Sequence, residues 1–257
     1  VAWLDERTAR RQIAEAAREI YTRKLSGALD GNISIRIGDQ RIATTPSGVH
    51  KGRLTPEDIV ITDLDGKPVG RAPQRNGQPL KPSSEVALHT MAYTIRPDVH
   101  AVVHAHPPMA LAYTIAGGRL SEVLVSEVVF ALGIIATAPY TTPTTRQVPD
   151  VLRDYLRCYD VVIMARHGSV TVGADLDGAL ARLDALEHTA QIYTTVQLLG
   201  GAPPIPAAEV DRLFAIAKPD TPLYRQPGTA CPSPEPGVPE EALVQAVLRA
   251  LTARGQA

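Results

Sequence analysis

Aromatic side chains are scarce, with two Phe, one Trp and eight Tyr in 257 residues. That shortage argues against a surface that binds bases or sugars by stacking. Charge of one sign is also missing. The formal net charge is −1 and no run of Lys or Arg stands out, which leaves no electrostatic footprint for nucleic acid or a membrane surface. No apolar run approaches the roughly 18 residues of a membrane span, and the N-terminus lacks a signal-peptide layout. Cysteine is limited to Cys158 and Cys231, far apart and without ligand spacing. They are expected to be free thiols in a reducing cytosol, and the expected location is cytoplasmic. What remains is ordinary globular composition, 44% hydrophobic and 21% charged. A chain of this length can hold one large α/β domain or two small ones without staples.

Histidine is where the sequence becomes specific. In Ala101-Val-Val-His-Ala-His106, strand alternation puts Val102, His104 and His106 on one face and Val103 and Ala105 on the other. Two imidazoles together at a strand end, stopped by Pro107-Pro108, are poor core material and a good pair of metal ligands. Taken alone, the pair is equally well read as two polar residues on a half-exposed strand. A second strand, Asp160 to Met164, delivers His167-Gly168. Three imidazoles with an open position suit a catalytic rather than a structural zinc site. Glu85, in the first turn of a helix opened by Ser83-Ser84, could add a fourth ligand and then serve as general acid or base. That helix start can also be ordinary capping or an anion site. The small-residue turns Gly31-Asn32-x-Ser34 and Thr45-Pro46-Ser47-Gly48 allow the same two readings.

The remaining pattern is scaffold. Helices are predicted over Trp3–Lys24 (stripe Ile13, Ala16, Ala17, Ile20, Tyr21), to about Ile95 after Glu85, over Pro107–Ile115, from about Val148 to Leu156, and over Asp175–Leu199. The last has Leu176, Ala179, Leu183, Leu186, Ala190, Tyr193, Val196 and Leu199 on its core stripe. Leu54-Thr-Pro-Glu-Asp58 has the form of a helix start, and Gly70 to Lys81 reads as loop. Val123–Phe130 and Gly133–Ala138 are strands or a strand and a short helix. Residues 1–217 are assigned to one domain, 218–239 to a Pro/Gly-rich tether and 240–257 to a short amphipathic helix. His89 is read as support behind the ligands or as a satisfied core histidine. His100 lies at the far end of the strand, and His50 and His188 fall on the surface. Tyr113, Tyr193 and Tyr224 are read as packing.

Taken together, Gly31-Asn32-x-Ser34, Thr45-Pro46-Ser47-Gly48, Ser83-Ser84-Glu85, His104-x-His106, Pro139-Tyr140 and His167-Gly168 resemble, in order and spacing, the class II aldolase/adducin family. The likeness spans about Arg11 to Leu199 and is closest to the L-fuculose-1-phosphate aldolase branch. It implies a single-domain α/β fold of three layers, with a central, largely antiparallel sheet flanked by helices, assembled as a homotetramer with sites at subunit contacts. It implies Zn2+ (or another divalent cation such as Mn2+) on His104, His106 and His167, with Glu85 alternating between ligand and acid/base. It implies a phosphate pocket of Asn32, Ser47, Gly48, Ser83 and Ser84, and a tyrosine donor, Tyr140, reaching in from a neighbouring subunit.

The activity implied is cleavage of a phosphorylated ketose substrate, a ketose 1-phosphate, to dihydroxyacetone phosphate and an aldehyde such as lactaldehyde. Decarboxylation and epimerisation are the family's other reactions. Glu85 in place of Asp weighs against the ribulose-phosphate 4-epimerase branch, and Asn32 with the two serines weighs against aromatic-acid decarboxylases. Arg166 stands where the fuculose enzyme has a histidine and is a possible substrate contact. A scaffold like the adducin head is the non-enzyme alternative, and the intact ligand set weighs against it. The C-terminal helix is either a docking element or resembles the tails that direct enzymes into a bacterial microcompartment shell.

Overall fold

A computed structural model describes residues 3–145, 147–217 and 231–235. Its centre is a seven-stranded sheet built from β1 (Asn32–Gly38), β2 (Arg41–Thr44), β3 (Val60–Asp63), β6 (Ala101–Ala105), β7 (Ile135–Ala138), β8 (Val161–Met164) and β9 (Gly168–Gly173). The strand order is β3-β2-β1-β6-β9-β8-β7. Every neighbouring pair is antiparallel except β7 with β8. Two two-residue strands, β4 (Gln74–Arg75) and β5 (Gln78–Pro79), form a small ribbon in the stretch expected to be loop. The mixed α/β fold with a mostly antiparallel sheet is therefore as expected.

Helices cover the sheet because alternation gives each strand two apolar faces. Ile33, Ile35, Val103 and Ala105 pack with α1 (Glu6–Thr22) and α6 (Leu176–Leu198). Ile42, Val102, Val162, Val170 and Val172 pack with α2 (Val86–Ile95) and α5 (Gln147–Leu156). Each large aliphatic side chain buried this way contributes roughly 1.5–3 kcal/mol. Asp5 caps α1 by accepting from the Thr8 amide at 3.0 Å, and Asp175 caps α6 by accepting from Gly178 at 2.7 Å. The helices α3 (Pro108–Ile115) and α4 (Glu127–Ala131) form a third cluster with α6. Glu187 of α6 caps α3 by accepting from the Met109 and Ala110 amides.

Several expectations are corrected. Leu199 is not on the core stripe; α6 outruns its neighbours after Tyr193, and Leu199 is 82% exposed. Tyr21 also lies outside the α1 core and packs edge-on against His50. Thr55-Pro56 opens only a three-residue 3₁₀ turn, with the Asp58 carboxylate accepting from the Thr55 amide at 2.9 Å. Helix α7 (Ala207–Ile216) was not anticipated, although Val210, Leu213 and Phe214 stand at helical spacing; it fully buries none of its residues. The largest correction concerns cysteine. Cys158 and Cys231 are joined in a disulfide with Cα atoms 5.9 Å apart, across 73 residues of sequence, because residues 231–235 fold back onto the sheet edge. There Pro234 O accepts from the Thr137 amide of β7, and Pro232 O accepts from the Tyr159 hydroxyl, both at 2.7 Å. The rest of the expected tether, its terminal helix and Tyr224 lie outside the described residues.

Candidate metal centre

Three adjacent strands bring the site residues to one end of the sheet. Asn32 of β1 is registered opposite His104 of β6, and β6 pairs in turn with β9. The tight turn from β8 to β9 contains Arg166 at φ 59° and closes with the His167 amide donating to Met164 O at 3.0 Å, so His167 faces His104 and His106. Glycine is required beside them. A Cβ on Gly168 would sit 2.6 Å from Ala105 O and 2.8 Å from carbons of both His104 and His106. At Gly31 (φ 69°), a Cβ would meet His104 O at 2.7 Å.

One imidazole nitrogen from each of His104, His106 and His167 lies within 4.8 Å of the others. Ser169 O, 2.9 Å from His104 Nδ1, fixes a proton there and leaves Nε2 for the site. His104 Nε2 is 3.1 Å from His106 Nε2 and 3.2 Å from Glu85 Oε2. His167 Nε2 is 3.4 Å from Glu85 Oε1. Convergence of nitrogens and a carboxylate at such distances calls for a cation or a shared proton. Glu85 Oε1 and His167 Nδ1 are, besides, buried without hydrogen-bond partners. Nitrogen and oxygen donors, three imidazoles and one carboxylate, fit a divalent ion of the zinc type.

Electrostatics prepare these groups for a cation. Burial pushes the Glu85 carboxyl up, but the hydrogen bond and charge of His104, the Asn32 amide and the charge of His167 outweigh it and hold Glu85 well below the usual carboxylate range. Burial, reinforced by the charges of His104 and His167, lowers His106 to about 4. Burial lowers His167 as well. Both rings therefore favour the neutral, ligating form.

The loops read as an anion pocket are zipped together beside this cluster. Ser83 N donates to Thr45 O at 3.1 Å, Ser47 N donates to Lys81 O at 2.9 Å, and Ser83 Oγ accepts from the Glu85 amide at 3.2 Å. Ser83 is buried, whereas Ser47, Gly48 and Ser84 are exposed. Gly48 is at φ 70° with open space where a side chain would be. Asn32 is nearly buried and donates to Glu85 Oε2 at 2.9 Å. Tyr140 is 58% exposed. Arg166 is exposed and lines a cavity of about 260 Å³ with Arg119, Thr137 and Glu235. His100 packs at a tilt against Trp3, away from the cluster.

Residues 11–194 match the family model described as the class II aldolase and adducin N-terminal domain. The chain belongs to that family. Among class II aldolase relatives, the chain is 36% identical over 71% of its length to a methylthioribulose-1-phosphate dehydratase from Methylococcus capsulatus, covering 91% of that protein. It is 31% identical over 79% of its length to a 5-deoxy-D-ribulose 1-phosphate aldolase from Bacillus thuringiensis serovar kurstaki, covering 92%. A solved L-fuculose 1-phosphate aldolase shares the fold, with TM-score 0.72 at 22% identity, over 84% of this chain and 98% of that one. The chain is thus an enzyme of the class II aldolase family, consistent with metal dependence. Among the described residues, no helix is long and apolar enough to cross a membrane.

Proposed function

We propose that the chain is a zinc-dependent lyase that cleaves a ketose 1-phosphate by retro-aldol chemistry. The observation that carries this reading is the convergence of His104, His106, His167 and Glu85 beside two zipped small-residue loops. The three histidines would hold the ion, with Glu85 available to it at rest. When bound, the metal supplies Lewis acidity, polarising a ketone next to the bond that breaks.

The chain's own groups do the rest. Glu85 Oε2 is occupied by the Asn32 amide, whereas Oε1 is buried, makes no hydrogen bond and has only His167 Nε2 near it. Oε1 is therefore the oxygen that takes a proton and returns it, and the carboxyl, held ionised at rest, carries no proton of its own before the reaction. It removes the C4 hydroxyl proton; the C3–C4 bond breaks with its electron pair passing to C3; the aldehyde leaves; and the proton returns to C3 to complete dihydroxyacetone phosphate. Asn32, Ser47, Gly48, Ser83 and Ser84 receive the phosphate, with amides and hydroxyls suited to an anion. The exposure of Tyr140 suits a residue that reaches into a neighbouring subunit's site within a homotetramer and donates a hydrogen bond to the C4 oxygen as it becomes the aldehyde carbonyl. Residues 1–217 form the catalytic domain, and the tail either docks on it or addresses a microcompartment.

The two relatives described above bear the names of modified ribulose 1-phosphates, which favours that five-carbon class over fuculose, although L-fuculose phosphate aldolases are also among the sequence relatives. The dehydratase relative also favours a second reading. In it the same carboxylate removes the C3 proton and the C4 hydroxyl leaves as water. Assaying L-fuculose, 5-deoxyribulose and 5-methylthioribulose 1-phosphates with and without chelator separates the two. Chelator-sensitive release of dihydroxyacetone phosphate is expected. Loss of water without a fragment selects the dehydratase, and the absence of turnover by zinc-loaded protein refutes both.

A further inference from the structure

Behind the Glu85 carboxylate, helix α2 and strand β1 meet along a polar seam that the metal centre alone does not require. Residues four apart on a helix stack on one face, as do residues two apart on a strand. Glu85, His89 and Tyr93 thus form one stripe, and Asn32 and Ser34 another. The two stripes interdigitate. Asn32 Nδ2 donates to Glu85 Oε2 at 2.9 Å, Asn32 Oδ1 contacts His89 Nε2, His89 Nδ1 is 2.6 Å from Ser34 Oγ, and Ser34 Oγ is 2.7 Å from the Tyr93 hydroxyl. Asn32, Ser34, His89 and Tyr93 are each at most 3% exposed.

The direction of every bond in this seam follows from the carboxylate at its end. Ionised Glu85 can only accept, so Asn32 must turn its NH₂ toward it and its carbonyl oxygen toward His89. That oxygen also only accepts, so His89 carries its proton on Nε2. A neutral ring then presents a bare Nδ1, which Ser34 must fill by donating. Ser34 Oγ in turn accepts from the Tyr93 hydroxyl. Reversing any one member places two acceptors or two protons face to face in a site closed to water, which is costly. Apolar side chains would fill the same space without needing such matching.

We propose that His89, Ser34 and Tyr93 are positioning residues, a one-way hydrogen-bond chain that presents the Asn32 amide nitrogen, never its oxygen, to Glu85. The chain holds Oε2 in place and keeps Oε1 turned toward the reacting centre. This inference rests on the reading of Glu85 as the base.

Two measurements test it. The first is independent of turnover: ¹⁵N spectra of the His89 ring in the full-length, metal-free protein should show protonated Nε2 and bare Nδ1. The reverse tautomer overturns the proposal. The second uses the best ketose 1-phosphate of the panel. His89→Leu should lower kcat by about 10–100-fold, the range for groups behind metal-site residues, with KM changed by less than about threefold. His89→Gln, whose amide can donate to Asn32 and accept from Ser34, should recover most of that loss. Ser34→Ala provides the same test, by a fall in kcat, should His89→Leu fail to fold. A folded His89→Leu or Ser34→Ala variant with wild-type kcat refutes the positioning role. If the wild-type chain turns over no ketose 1-phosphate, the proposed reaction fails and the ring tautomer alone decides the chain of bonds.

Discussion

Glu85 and Gly168 carry the sharpest consequences at the scale of single residues. Glu85→Gln keeps the size of the side chain and removes its capacity to take a proton. We expect kcat to fall about 10²–10⁴-fold while three histidines still retain zinc, as checked by metal analysis beside steady-state kinetics. Loss of metal with the activity would instead make Glu85 chiefly a ligand. Gly168→Ala forces a methyl group against Ala105 O and two imidazoles. It should cost about 1–3 kcal/mol by overpacking and weaken zinc binding, read by denaturant melts and a competing chelator. Unchanged affinity would show that the rings relax freely. Much of this was legible in the sequence. Strand alternation placed His104 and His106 together, and Ser-Ser-Glu marked a helix start. The bond between Ser34 and Tyr93 was not legible, because Tyr93 reads as one of the apolar packing residues of α2 and its partner is 59 residues away.

At the scale of elements, α2 against β1 predicts a pH dependence. Burial pushes His89 down to about 3 from 6.5. Between those values the unfolded chain binds a proton that the folded chain refuses, so stability falls as pH is lowered from about 6.5 and levels off near 3. At pH 5 the loss is on the order of 1–2 kcal/mol. Urea midpoints of metal-free protein should therefore drop between pH 7 and 5, and less steeply in His89→Gln; parallel slopes would assign the effect elsewhere. The disulfide ties residues 231–235 to Cys158, just after α5, and Pro234 O holds the same segment on the edge strand β7. Cys158→Ser should cost about 2–4 kcal/mol and speed proteolysis near Cys231, with unchanged digestion counting against the strap. Periodicity located α1 and α6 but could not say where α6 stops finding neighbours, hence the error at Leu199. Cysteine spacing along the chain likewise carried no information about distance in space.

Across the whole molecule, the fold acts as a frame that delivers residues from β1, α2, β6 and the β8–β9 turn to one end of the sheet. Its class was legible because the motifs recur in a fixed order along most of the chain. The substrate was not, because it depends on exposed groups such as Arg166 and Tyr140, whose partners in an assembly the sequence does not specify. The most direct test of the central claim is anomalous scattering at the zinc edge from zinc-loaded crystals. One peak per chain is predicted, about 2.0–2.1 Å from a nitrogen of each of His104, His106 and His167. A zinc-loaded crystal with no peak among those three rings, or with the ion held elsewhere, would contradict it.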